Sequence, residues 1–176
     1  MSRITIPAYE SLSAEAKKEY DAQVKSHGRI TNMKKTLLHS LPSFKVLMEW
    51  YPLRDEVVKI VGEFACNAYA YAISNDNNCL ICSTFFRRLL KESGHDPDNL
   101  DYEPDPDSAL LMEYARTCTA KPADVSDPLF ERMKARFSEE QIVLLTAFAG
   151  MMIATNLINN ALHVPLDDYL VPYTKR

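Results

Sequence analysis

The chain has 176 residues, 47% of them hydrophobic and 25% charged, with a net charge of −4 and a pI near 5.6. That length reads as one domain over 1–176, long enough to bury a continuous core. The acidic balance and the lack of any basic run argue against nucleic-acid binding, and four scattered glycines leave no phosphate-cradling or dinucleotide-binding loop, so no cofactor is expected.

Punctuation residues mark helices from end to end. Ser13 can cap a helix that runs to about 27 and closes at Gly28, and a short helix follows near 33–40. "LPSFKVLMEW" (41–50) opens another behind Pro42. Pro52 interrupts it, and 54–74 reads as one longer helix. The run Asn75, Asp76, Asn77, Asn78 is turn and cap chemistry, which puts Cys79 in the first turn of a helix ending near Ser93 and Gly94. "EPDPDS" (103–108) reads as a loop, with helices from Ser108 to about Thr119 and over "DVSDPLFERMKARF". Ser138 and Gln141 form a capping box for a last helix to about Leu162, which Pro165 ends. No stretch alternates with period two, so the fold class is all-α.

The apolar run from Ile142 to Ala154 is too short to cross a bilayer, and the N-terminal segment has no signal-peptide core. A soluble cytoplasmic protein is expected, with no membrane partner. In that reducing setting Cys66, Cys79, Cys82 and Cys118 are not expected to form a structural disulfide framework. The helices over 57–73 and 142–154 are apolar on most faces, more than one core stripe requires. Burying both is easier with a subunit interface, so a homo-oligomer is expected.

The stretch "SNDNNCLICSTFF" (74–86) holds Cys79 and Cys82 three apart at a helix start. The helix N-terminus favours a thiolate, and the spacing puts both thiols on one face, where one can attack and the other resolve. Zinc would need two further ligands, and neither the other cysteines nor His27, His39, His95 and His163 form a second close pair, so no metal is expected. Two inert core cysteines remain the plain alternative.

"AISNDNNCLICSTFFRRLLKESG" (72–94) resembles the core of the AhpD-like alkylhydroperoxidases of the carboxymuconolactone decarboxylase superfamily. "GRITNMKKTLLHSLPSFKVLMEW" (28–50) is similar to that family's entry segment, and "FSEEQIVLLTAFAGMMIATNLINNALHVPLDD" (137–168) to its last helix. The resemblance implies an all-α oligomer, a trimer or hexamer, in which the second cysteine attacks a peroxide and the first closes the disulfide. A dithiol reductant or protein redox partner would then reset the pair. The family's proton relay is a Glu twelve before the first cysteine and a His four after the second; here those positions are Asn67 and Phe86. Glu63, one turn before Asn67, is the candidate stand-in, and Phe86 would dry the pocket. A thiol-dependent peroxide reductase, weakened by the lost relay, is the first expectation. A non-enzymatic or redox-sensing scaffold, or a thiol–disulfide reductase acting on a protein partner, is the alternative. Lactone decarboxylation lacks a supporting constellation.

Overall fold

The structure, a computed structural model, describes residues 2–100, 105–120 and 123–175. Among them there is no strand. Eight helices follow in order: α1 Ala14–His27, α2 Asn32–Leu37, α3 Leu41–Met48, α4 Trp50–Asp76, α5 Leu80–Glu92, α6 Pro106–Thr119, α7 Asp127–Arg136 and α8 Glu139–Leu162. Short 3-10 turns lie at Tyr9–Ser11 and Asp168–Tyr173. The all-α expectation holds; part of the loop expected over 103–108 falls outside the described residues.

The caps explain most boundaries. Ser13, Thr31, Ser40, Asp105 and Ser138 each accept a backbone N–H in the first turn of the helix that follows, and Ser138 with Gln141 completes the reciprocal capping box. Gly28 closes α1 in the left-handed conformation. Pro52 does not interrupt a helix as the sequence reading had it. It is the third residue of α4, within the first turn, where a missing N–H removes no intrahelical bond.

The continuous helix expected over 54–74 is instead broken at Gly62, whose backbone (φ 79°, ψ 168°) lies in a region essentially restricted to glycine. Arg54 spans the break, pairing with the Glu63 carboxylate and donating to Asn67 Oδ1 at 3.4 Å. Beyond it, every residue from Ala65 to Ser74 is buried. This half of α4 is the axis of the fold, packed against α5, α6 and α8. Tyr69 sits at its centre, its hydroxyl donating to the Leu145 carbonyl and its ring near those of Phe148 and Tyr114.

Within one chain the last helix is buried on one side only. Ile142, Leu145, Phe148, Ala149 and Met152 enter the core, while Val143, Ala147, Gly150 and Leu157 lie exposed along the opposite side. At 24 residues α8 is long and apolar enough to cross a membrane, although its run from Ile142 to Ala154 alone is not. Two cores result. The larger surrounds α4, and a smaller one joins α1, α2 and α3 through Ala16, Ile30, Leu37, Leu38, Phe44 and Leu47.

Candidate active site

The turn between α4 and α5 is built to present the two cysteines. Asn78, at φ 51°, takes the left-handed position after the end of α4. The Asn78 N–H donates to the Asn75 carbonyl and the Cys79 N–H to the Ser74 carbonyl, both at 2.9 Å, the paired bonds of a Schellman stop. Asparagines of α8 clamp this turn. Asn160 donates to the Asn77 carbonyl at 2.8 Å, and Asn156 accepts from the Asn77 amide at 3.2 Å. Cys79 is therefore the N-cap of α5, one residue before the expected first turn, and Cys82 occupies the third helical position.

Both thiols are free and buried. Asn159, itself buried, donates from Nδ2 to Cys82 Sγ at 3.3 Å and to Cys79 Sγ at 3.8 Å. The pair shares its charge unequally. Cys79 receives a hydrogen bond from the Cys82 thiol, with further support from the Cys82 backbone N–H and the Asn159 and Asn156 amides, and these outweigh burial to bring its pKa down to about 7. Cys82, which gives its proton to that bond and is desolvated, is raised well above the ordinary thiol value. Cys66, by contrast, is pushed up to about 12 by burial, and burial also raises Cys118.

Cys82 forms part of the wall of a cleft holding about 650 Å³ of open space, its mouth to solvent included. The cleft lies between the two cores. Trp50, Tyr51, Phe85 and Phe86 line it with rings, and Met33, Met48, Met152, Leu47 and Leu170 supply further apolar wall. Trp50 is fixed by its indole N–H on Met152 Sδ at 3.0 Å and by ring contacts with Phe86 and Phe148. Polar groups reach the cleft from α2 and from the chain after α8: Thr31, Lys34, Asp167 and Tyr169. Lys34 is buried, bonded to the Gln23 amide oxygen, and its ammonium sits 4.6 Å from the Tyr51 ring centroid; burial lowers its pKa to about 8.

The sequence candidates separate accordingly. Cys79 and Cys82 come together, and Phe86 lines the same cleft as Cys82. Glu63 is not brought to the thiols' cleft: its carboxylate is 64% exposed, pairs with Arg54, and lies outside the cleft wall. Asn67 is buried, but its carbonyl is taken by Arg54 rather than a thiol. His39 Nε2 lies 2.8 Å from the Thr5 carbonyl oxygen, and His95 stacks on Phe64, so both have structural contacts. Asn156 and Asn159 were missed. Their signal was a polar cluster, Thr155, Asn156, Asn159 and Asn160, at the end of a largely apolar helix. Among the described residues no cluster of His, Cys, Asp and Glu fit for a metal occurs.

No protein-family model matches the chain, and no curated protein matches it. Solved structures do. A peroxidase-related protein from Silicibacter sp. TM1040 superposes with a TM-score of 0.76 at 16% identity, over 96% of this chain and 93% of that one. The AhpD core of a peroxidase-related protein from Ralstonia eutropha JMP134 gives 0.76 at 16%, over 96% and 94%. This chain has the AhpD-like fold. The debrominase Bmp8, solved as a cysteine-to-alanine variant with 2,3,4-tribromopyrrole, shares it, with a TM-score of 0.78 at 14% identity over 98% and 97%.

In this site Asn159 is the group bonded to both sulfurs, so its loss tests how the thiolate is held. In Asn159→Leu the Cys79 pKa is expected to rise, though by less than loss of the Cys82 hydrogen bond would raise it. Thiolate absorbance at neutral pH should fall accordingly. An unchanged titration would leave the amide no part in setting the charge.

Proposed function

We propose that the protein is a dithiol reductase of apolar organic hydroperoxides, with Cys82 as the attacking thiol and Cys79 first its base and then its resolving partner. The observation that carries this is the placement of the two sulfurs: Cys82 lines the cleft, while Cys79, the more acidic thiol, is hydrogen-bonded to it and lies outside the cleft wall.

The resting pair holds one proton. As a hydroperoxide meets Cys82, the Cys79 thiolate accepts the Cys82 proton. The Cys82 sulfur attacks the distal oxygen, the O–O bond breaks, and the leaving alkoxide takes the proton from Cys79. This gives an alcohol and a sulfenic acid on Cys82. Cys79, again a thiolate, attacks that sulfur and expels hydroxide, which a solvent proton converts to water. A disulfide remains, and an external dithiol resets it. The Cys79 proton thus does what the missing Glu and His would do, without a second residue to carry the proton away. Rates below those of relay-bearing relatives follow.

The test is consumption of cumene hydroperoxide with a dithiol reductant, followed by mass mapping. Turnover should rise as pH climbs through about 7, where Cys79 ionises. The oxidised protein should carry a 79–82 link, with Cys66 and Cys118 still free. Absence of that link would remove the redox reading.

The ring-lined cleft favours a second reading with the same electron count, reductive dehalogenation of a flat halogenated aromatic. There a carbon–halogen bond is replaced by carbon–hydrogen, halide and a proton are released, and the dithiol is oxidised to the disulfide. Bromide release from tribromopyrrole separates the two.

Assembly is part of the same proposal. Val143 and Leu157 of α8 are 68% and 65% exposed, with Ala147 and Gly150 between them on the same side. A homo-oligomer, a trimer or hexamer, would cover this side, and a cytoplasmic setting would keep the dithiol reduced. Light scattering at micromolar concentration should give a mass above the 20.0 kDa monomer, and a monomeric mass would reject the assembly.

A further inference from the structure

We propose that the cleft takes an apolar substrate bearing a neutral hydrogen-bond donor, an O–H or N–H, and that Asp167 is the acceptor that reads it. The proposal rests on the cleft being the substrate site.

Asp167 follows α8 and lines the cleft while remaining nine-tenths buried. Its two oxygens differ. Oδ1 accepts the Asn32 backbone N–H at 2.9 Å and so ties the start of α2 to the chain after α8. Oδ2 is buried and has no hydrogen-bond partner among the described residues. Buried carboxylate oxygens are ordinarily bonded, because an unmet one loses its hydration with no return. The terminal torsion of an aspartate is broad and two-fold. A small turn therefore brings the unmet oxygen to the cleft and leaves the other on the Asn32 N–H.

No nearby cation meets this need: Lys35 and Arg29 favour the carboxylate from a distance, but among the described residues neither forms an ion pair with it. Lys34 shares the cleft wall but is held by Gln23 and the Tyr51 ring, and no ion pair joins it to Asp167. Its presence also bears on the ligand. A cationic ligand would face a second positive charge in a desolvated cleft, whereas a neutral donor meets no such repulsion. A ligand without a donor would leave Oδ2 as it is. Burial raises the Asp167 pKa, as expected for a carboxylate short of donors. The rings of Trp50, Phe85 and Phe86 take the apolar body of the ligand.

Trp50 is the only tryptophan of the chain and lines the cleft, so its emission reports occupancy without any turnover. The probes are 4-methylphenol and its methyl ether, 4-methylanisole, titrated against the resting protein. A hydrogen bond to a charged acceptor predicts a preference for the phenol of about ten-fold or more. Asp167→Asn keeps an oxygen for the Asn32 N–H but turns the other position into a donor, so the preference should fall to parity or reverse toward the ether. Lys34→Met, which removes the cleft's other charge, should retain it. Equal binding of both probes by the wild type overturns the proposal, as does an unchanged preference in Asp167→Asn. If Asp167→Asn does not fold, Lys34→Met decides, because loss of preference there assigns the reading to the lysine. Binding is read without turnover, so failure of this proposal leaves the dithiol chemistry standing, and the reverse also holds.

Discussion

Cys82→Ser is expected to abolish hydroperoxide reduction, and Cys79→Ser to stop it after a single event per subunit. The asymmetry comes from position. Cys82 is the sulfur on the cleft, and a serine hydroxyl there is neither nucleophilic nor oxidisable at neutral pH. Cys79→Ser leaves the attacking sulfur but removes both its base and its resolving partner. The first oxidation should slow by roughly 100-fold or more, the scale of acid–base help, and end at a sulfenic acid on Cys82 that cannot close to a disulfide. Intact-mass measurement after cumene hydroperoxide should show one added oxygen in Cys79→Ser and none at this site in Cys82→Ser. The reverse pattern would make Cys79 the attacking thiol. Continued turnover in Cys82→Ser would place the chemistry elsewhere.

Restoring the relay should produce the largest gain. Asn67→Glu with Phe86→His is expected to raise turnover by on the order of 100-fold or more. Neither change alone should approach this, because a proton relay acts as a unit. The surroundings give each single change a definite outcome. Arg54 already donates to Asn67 Oδ1 and pairs with Glu63. In Asn67→Glu alone the guanidinium would therefore capture the new carboxylate and hold it ionised, a poor proton donor, so the gain in the double variant requires the new imidazole to draw that carboxylate from Arg54, which keeps Glu63 as its partner. Phe86→His alone would supply an imidazole with no carboxylate to orient it, and would give up the packing of Phe86 on Trp50 and Phe85. Thermal melts must accompany the kinetics for that reason. A folded double variant that forms the 79–82 link but gains no rate would mean that the cleft differs from the relay-bearing form in more than these two side chains. The redox-sensing scaffold or protein-directed reductase would then be the better reading.

The helices and the dithiol were legible in the sequence because their signals are local. A Ser with a Gln three on, a Gly after a periodic run and an asparagine cluster before Cys79 each dictate backbone geometry within a few residues. What was not legible depends on partners far away. Gly62 reads as a tolerated glycine in a helix, and nothing in its neighbours requires the positive φ it adopts. Lys34 sits in "NMKKTL" like any solvated lysine, and its burial comes from Gln23 and Tyr51 on other helices. Glu63 looked available to the thiols because helix periodicity put it one turn from Asn67. The break at Gly62 and the reach of Arg54 gave it a different neighbour. The excess apolar surface of α8 was legible, but which of its residues would be left exposed was not, since an apolar helix reads the same whether its second side meets its own core or something else.

The bond from Asn32 to Asp167 joins residues 135 positions apart, and it closes one wall of the cleft. Loop-closure entropy rises with separation, so such a link is made only after the intervening helices have docked. The wall it holds is therefore expected to assemble late and to open before the core does. Amides of α2 and of Asp168–Tyr173 should exchange with solvent by an opening smaller than global unfolding, while Ala65–Ser74 exchange only with it. Exchange of that kind would mean that the cleft wall parts along a seam between distant stretches of chain while the buried half of α4, against which the cysteine-bearing α5 packs, stays in place.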